Sequence, residues 1–153
     1  MGWFSSWWKK EDWFTPQQRE QIVAAVRAAE KRTSGEIRIF IESRCSYVDP
    51  LDRAAEIFYG LKMEKTEDRN AVLLYIAMKD HQLAVYGDQG IHEKVGSAFW
   101  NAEVKQICSE FQSEHMTEGI IHIVNDIGEA LVHHFPYHNE DRNELPDDIV
   151  FGR

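Results

Sequence analysis

The residues best placed to do chemistry lie in and around one stretch, Asn70–Gly90, which reads NAVLLYIAMKDHQLAVYGDQG. Its almost unbroken apolar run, Asn70–Met78, predicts a central strand covered on both faces. Met78-Lys79-Asp80-His81 predicts a tight turn, Gln82–Tyr86 a returning strand, and Gly87-Asp88-Gln89-Gly90 its exit. A hairpin of this kind sets the start of one strand beside the end of the next, so Asp68 and Asn70 fall next to Asp88. An earlier strand over Glu36–Glu42, parallel to Asn70–Met78, brings Glu36 to the same sheet edge, and Glu93 follows in the lead-in to a helix. Glu36, Asp68, Asn70, Asp88 and Glu93, with backbone carbonyls near Gly87 and Gly90, make an oxygen-rich set. Such a set suits a hard cation, calcium first and magnesium second, better than zinc. Each member also has an ordinary structural use: a solvated strand end for Glu36, a connector acid for Asp68, an Asx turn at Asp88, positive φ at the two glycines, a helix start at Glu93.

Other chemistries find less support. H-E-x-x-H, G-x-S-x-G, Walker A and dinucleotide fingerprints are missing, and Gly87-Asp88-Gln89-Gly90 carries an acid where a phosphate cradle needs bare amides. His92 is the histidine near the acidic set; His122 suits a half-buried helix position, and His133-His134 a helix end. Cys45 and Cys108 have no metal-ligand spacing and read as two buried free thiols.

The elements that position these residues follow from local signals. Thr15-Pro16-Gln17-Gln18 is a capping box with proline at the first helical position, and Ile22, Val23, Ala25, Val26 and Ala29 supply the apolar stripe of the helix that follows. Ile37, Ile39 and Ile41 alternate with Arg38, Phe40 and Glu42 in a strand. Asp49-Pro50 opens a second helix that buries Ala54, Ala55, Ile57, Phe58 and Leu61, and Lys62–Arg69 is a charged connector. This crossover is long enough to join parallel strands. Ser97–Phe111 and Thr117–Phe135 predict two closing helices, the second stopped by Pro136. The expected architecture is α/β, a three-layer α/β/α arrangement with a small mixed sheet, in the order α-β-α-β-β-α-α.

The chain has 153 residues and a formal net charge of −9, which fits one principal domain and opposes binding to nucleic acid. Residues 1–14 form an aromatic tail, 15–135 the domain, and 136–153 an acidic extension packed on it, with Leu145, Ile149 and Phe151 as anchors. In the tail, Trp3, Trp7 and Trp8 share a helical face. They suit packing on the domain or a neighbouring chain, or a peripheral membrane contact. No apolar run nears the ~20 residues of a transmembrane helix, and no signal peptide is evident, so a cytoplasmic setting is expected.

Ser34-Gly35-Glu36-Ile37, Asn70-Ala71-Val72-Leu73-Leu74 and Gly87-Asp88-Gln89-Gly90-Ile91 resemble patterns of the TPM domain family, roughly T-G-x-E-I, D-N-G-V-L-L and G-x-G-L/I. The resemblance spans Thr15 to Phe135, and the segment from Phe135 to Asp147 resembles a cytoplasmic bacterial branch. It implies an α/β/α domain with an acidic pocket, calcium binding as in some members, and weak acid phosphatase activity as ascribed to others. Glu36, Asn70, Gly87 and Gly90 match by motif. Arg69 stands where the family often has the Asp before Asn, and Ala71 replaces its Gly. Two functions follow as expectations: a calcium-binding adaptor module with a protein partner, or a metal-assisted phosphatase-like hydrolase in which Arg69 contacts the phosphate.

Overall fold

The computed structural model describes residues 13–112, 115–137 and 149–152. Helix α1 (Pro16–Glu30) starts at the predicted capping box. Thr15 Oγ1 accepts from the Gln18 N–H at 3.0 Å, and Gln18 Oε1 accepts from the Thr15 N–H at 2.9 Å, so two orphan donors are satisfied reciprocally. Strand β1 (Glu36–Glu42) follows, then α2 (Pro50–Gly60), whose cap Asp49 accepts from the Leu51 N–H at 2.9 Å. Strands β2 (Ala71–Ala77) and β3 (Gln82–Gly87) form the hairpin, and α3 (Gln89–Gln112), α4 (Met116–His134) and β4 (Ile149–Phe151) complete the described elements.

The sheet runs β3-β2-β1-β4. β1 and β2 are parallel, with Glu36 opposite Ala71; β2 and β3 are antiparallel, with Val72 opposite Gly87. The alternation in β1 sorts side chains as its sequence predicts. Ile37, Ile39 and Ile41 join Val72, Leu74, Ile76, Leu83 and Val85 under α1, α3 and α4, while Phe40, Leu73, Tyr75 and Ala84 face Ala54, Ile57 and Phe58 of α2. Burial on both faces explains why β2 reads as a continuous apolar run.

Two expectations need correction. The helix after the hairpin begins at Gln89 and not at Ser97, and it breaks at Gly96, whose φ of 79° and ψ of 168° are not helical. Ser97 starts its second arm; the first arm is hidden behind what reads as a glycine turn. The second is a fourth strand. Ile149–Phe151 pairs in parallel with β1, Ile149 opposite Ile39, and so part of the acidic extension belongs to the sheet. Trp3, Trp7, Trp8 and Leu145 lie outside the described residues. No helix among the described residues is long and apolar enough to cross a membrane.

Candidate functional site

The topology does bring Glu36, Asn70 and Asp88 to one edge of the sheet, all nearly excluded from solvent at 2%, 1% and 1% exposure. What they face there differs from an open ring of carboxylates. Arg69 Nε donates to Asp88 Oδ2 at 2.6 Å and Nη2 to Oδ1 at 2.8 Å, a bidentate fork. Asp88 also starts α3: its Oδ1 accepts from the Gln89 N–H at 2.8 Å and its carbonyl from the His92 N–H at 2.9 Å, the role of an N-cap. Asp88 holds the guanidinium above its ordinary pKa through this hydrogen bonding. Arg69 sits at φ 52°, in the left-handed region that costs an L-residue roughly 1–2 kcal/mol. Its carbonyl accepts from the Gly90 N–H at 2.8 Å, so the fork and this bond together hold the unusual backbone.

Gly87 and Gly90 serve a purpose other than positive φ, since the one described glycine with that conformation is Gly96. They permit close approach. A Cβ on Gly90 would lie 2.1 Å from the Asp68 carbonyl oxygen, and one on Gly87 would lie 2.4 Å from the Trp100 ring. Asn70 Nδ2 donates to Ser34 Oγ at 3.2 Å, while its Oδ1 is buried without a hydrogen-bond partner. The Arg38 guanidinium is buried near Glu36. Burial draws it below its ordinary pKa, with Glu30 and Glu36 acting the other way. Asp68 and Glu93 are exposed. The residues present do not fit calcium or magnesium as they stand: Asp88 is engaged by a built-in cation, two of the five are solvated, and among the described residues no three of His, Cys, Asp or Glu gather in a metal-holding group.

Asp88 and Arg69 also line a groove of about 660 Å³ that sequence patterns did not reveal, a volume in the range of ligand sites. Strand β3 forms its floor. Asp49, Leu51 and Tyr59 line it on the α2 side, and His92, Trp100 and Val104 on the α3 side. The Tyr59 hydroxyl of α2 meets the Tyr86 hydroxyl of β3 at 3.1 Å, and within α3 Trp100 Nε1 donates to His92 Nδ1 at 3.0 Å. Burial pushes the Tyr86 phenol up to about 12, so it remains protonated near neutrality. Cys45 and Cys108 are free and half-buried, remote from any metal spacing.

A second charged cluster lies on the far side of α3. Glu103, 9% exposed, is hydrogen-bonded to Asp126 of α4, and its Oε2 has no partner. Burial first, then Asp126, pushes its carboxyl up to about 7. His122 lies 3.3 Å from Asp126 and bonds Gln106 at 2.9 Å.

Comparison with known proteins agrees with this architecture. The profile of the TPM domain family matches residues 9–130. The chain therefore belongs to the TPM domain family. It is similar to the solution structure of the BA42 protein from the psychrophilic bacterium Bizionia argentinensis, at 38% identity and a TM-score of 0.84, covering 93% of this chain and 97% of that one. It shares the fold alone with the N-terminal domain of a protein from P. gingivalis, at 17% identity and a TM-score of 0.62 over 82% and 83% of the chains. A domain from Corynebacterium glutamicum is related likewise, at 14% identity and 0.59 over 79% and 76%. A search of curated proteins finds no significant match.

Proposed function

We propose that this TPM domain is a binding and adaptor module whose working surface is the groove along β3. The observation that carries this is the Arg69–Asp88 fork in the groove's lining. It neutralises the edge from within and leaves a shaped, largely apolar channel beside it. Calcium at Glu36, Asp68, Asn70, Asp88 and Glu93 would have to displace a bidentate guanidinium and compete with Arg38 for Glu36. Hydrolysis of a phosphomonoester fits less well. The groove hydroxyls of Tyr59 and Tyr86 bond each other and not a base, and Arg69 would have to leave Asp88 to grip phosphate.

The test is an amide-resolved NMR titration of the full chain with indole, acetate, inorganic phosphate and calcium in turn. Shifts clustered at Leu83–Gln89 and the Trp100 indole with the organic probes are expected. Calcium shifts centred on Glu36 and Asn70, with a stabilisation near the roughly 2.7 kcal/mol due at a hundredfold excess over the dissociation constant, would overturn the internal-cation part. Turnover of p-nitrophenyl phosphate by wild type and not by Arg69→Ala would put the hydrolase first.

A further inference from the structure

We infer that the depression between α3 and α4 is a second binding site, which takes a primary alkylammonium group with its charge against Glu103 and Asp126. The depression, of about 430 Å³, is lined by Val95, Phe99 and Glu103 of α3 and by Asp126, Glu129 and Ala130 of α4. Glu103 is nine-tenths buried there, at 9% exposure, and its Oε2 has no hydrogen-bond partner. Asp126 sets a second carboxyl against it from the facing helix. Two carboxyls brought together repel when both ionise, and a positive charge between them relieves both. Among the described residues the fold does not supply one. Arg32 is spent on Glu129, to which its Nη1 donates at 2.7 Å. His122 Nε2 lies 3.3 Å from Asp126 but bonds the Gln106 amide nitrogen at 2.9 Å. An amide nitrogen only donates, so His122 accepts there and has no proton on that atom for Asp126. His134, which also lines the depression, is drawn below its ordinary pKa by burial first, then by His133 and Lys94, and stays neutral near pH 7.

The chemistry of the lining selects the occupant. A bare calcium ion takes about six to eight oxygen ligands, and among the described residues no three of His, Cys, Asp or Glu gather in a metal-holding group. An ammonium asks for less. Its three N–H donors serve Glu103, Asp126 and water. Its hydrocarbon stem meets Val95, Phe99 and Ala130, and an aromatic ring such as that of Phe99 attracts a cation besides. A quaternary ammonium carries the same charge without N–H donors and leaves Glu103 Oε2 unsatisfied. A free diamine and the lysine side chain of a partner present the same group. Binding competes with a proton. Burial first, then Asp126, pushes the Glu103 carboxyl up to about 7. The ammonium favours its charged form, so binding is strongest above that pH and is lost as pH falls through it. Around the pair stand His122, Glu129, His133 and His134 of α4, Lys94 of the first arm of α3, and Arg32 beyond Glu129.

The experiment titrates the full ¹⁵N-labelled chain with n-butylammonium chloride at pH 8 and at pH 6, with ionic strength held fixed by sodium chloride. Amide shifts are expected at Phe99, Glu103, Asp126 and Ala130. Affinity should be about tenfold weaker at pH 6, as competition with a proton on a group titrating near 7 requires. Tetramethylammonium chloride should bind several-fold more weakly. Glu103→Gln should lose the response at both pH values while the rest of its spectrum stays that of the folded chain, and Asp126→Asn should weaken it. An equal response to butylammonium, tetramethylammonium and sodium reduces the effect to screening and overturns the site. So does an affinity that stays constant between pH 8 and pH 6, or one that survives in both variants. The diamine 1,4-diaminobutane and a lysine blocked as its acetyl methylamide, titrated in the same way, separate the sources. Tighter binding of the diamine assigns the site to a free amine, tighter binding of the blocked lysine to a partner's side chain, and equal binding supports the site for either. Failure of both together with butylammonium overturns it.

Discussion

Asp88 and Glu103 are both carboxyl groups withdrawn from solvent, each against one charged neighbour on another element, and they differ in the sign of that neighbour. Asp88 meets the Arg69 fork and carries a capped helix start besides. Glu103 meets Asp126 and keeps one oxygen without a partner. The first arrangement removes the cost of burying charge and fixes the β3–α3 junction in one geometry. The second leaves that cost in place, and it pushes the Glu103 carboxyl up to about 7, so that this group keeps its proton to a higher pH than an exposed carboxyl does. A buried acid by itself therefore says little about a metal; what decides is whether the fold already supplies its counter-charge.

The largest effect should come from breaking the first arrangement. Arg69→Met leaves Asp88 buried and uncompensated, a loss that elsewhere is strongly destabilising, and should lower the melting temperature by on the order of 10 °C. Arg69→Met combined with Asp88→Asn should recover most of it, since the amide keeps the cap to Gln89 without the charge. A thermal melt of the four proteins forms the cycle. If both single variants melt like wild type, the fork is an ordinary surface pair and the contrast with Glu103 disappears.

Sharpening the second arrangement gives a smaller effect of opposite sign. The Glu103 carboxyl is raised from its ordinary 4.5 to about 7 in the folded protein. The folded state thus binds more protons than the unfolded one between those values, and stability falls as pH rises from about 4.5 to 7 and then levels. Glu103→Gln removes the charge and keeps a hydrogen-bonding group facing Asp126. It should stabilise the protein by roughly 2 kcal/mol above pH 7 and add nothing near pH 4. Urea unfolding at a series of pH values reads this directly. A variant whose stability runs parallel to wild type across that range would show that Asp126 and Glu103 do not share a proton.

The sheet was legible because its determinants are local and strong. The apolar run of β2, the alternation in β1 and the capping box of α1 each depend on a few neighbouring residues. β4 was not, because Ile-Val-Phe is too short to show a period and its place depends on a free edge of β1 far away in sequence. The first arm of α3 was hidden because Asp88 and Gly90 look like turn residues. In the fold Asp88 caps a helix, and Gly90 lets the chain pass against the Asp68 carbonyl. At the candidate site, the hairpin announced that Asp68–Asn70 would meet Asp88. The pattern did not announce that Arg69, at φ 52°, is the residue whose side chain turns to it. Glu103 carried a signal that was available: it stands four residues from both Phe99 and Ile107, inside the apolar stripe, where a charge needs an explanation.

The smallest effect is expected at the two outer members of the acidic set. Asp68 and Glu93 are exposed, so water already solvates their charges, and neutralising them removes no buried interaction. Asp68 contributes to the junction through its carbonyl, packed against Gly90, which a side-chain change leaves intact. Asp68→Asn and Glu93→Gln should each move stability by no more than about 0.5 kcal/mol, against the much larger loss at Arg69. Calcium sharpens the comparison further. If these two carboxylates belonged to a cation site, each substitution would reduce the heat and the melting shift produced by calcium while leaving the metal-free protein unchanged. With the positive charge supplied by Arg69, calorimetry should show the same negligible calcium heat for wild type and for both variants. A calcium heat in wild type that Asp68→Asn or Glu93→Gln abolishes would place the two residues in the site after all and make the Arg69 fork displaceable.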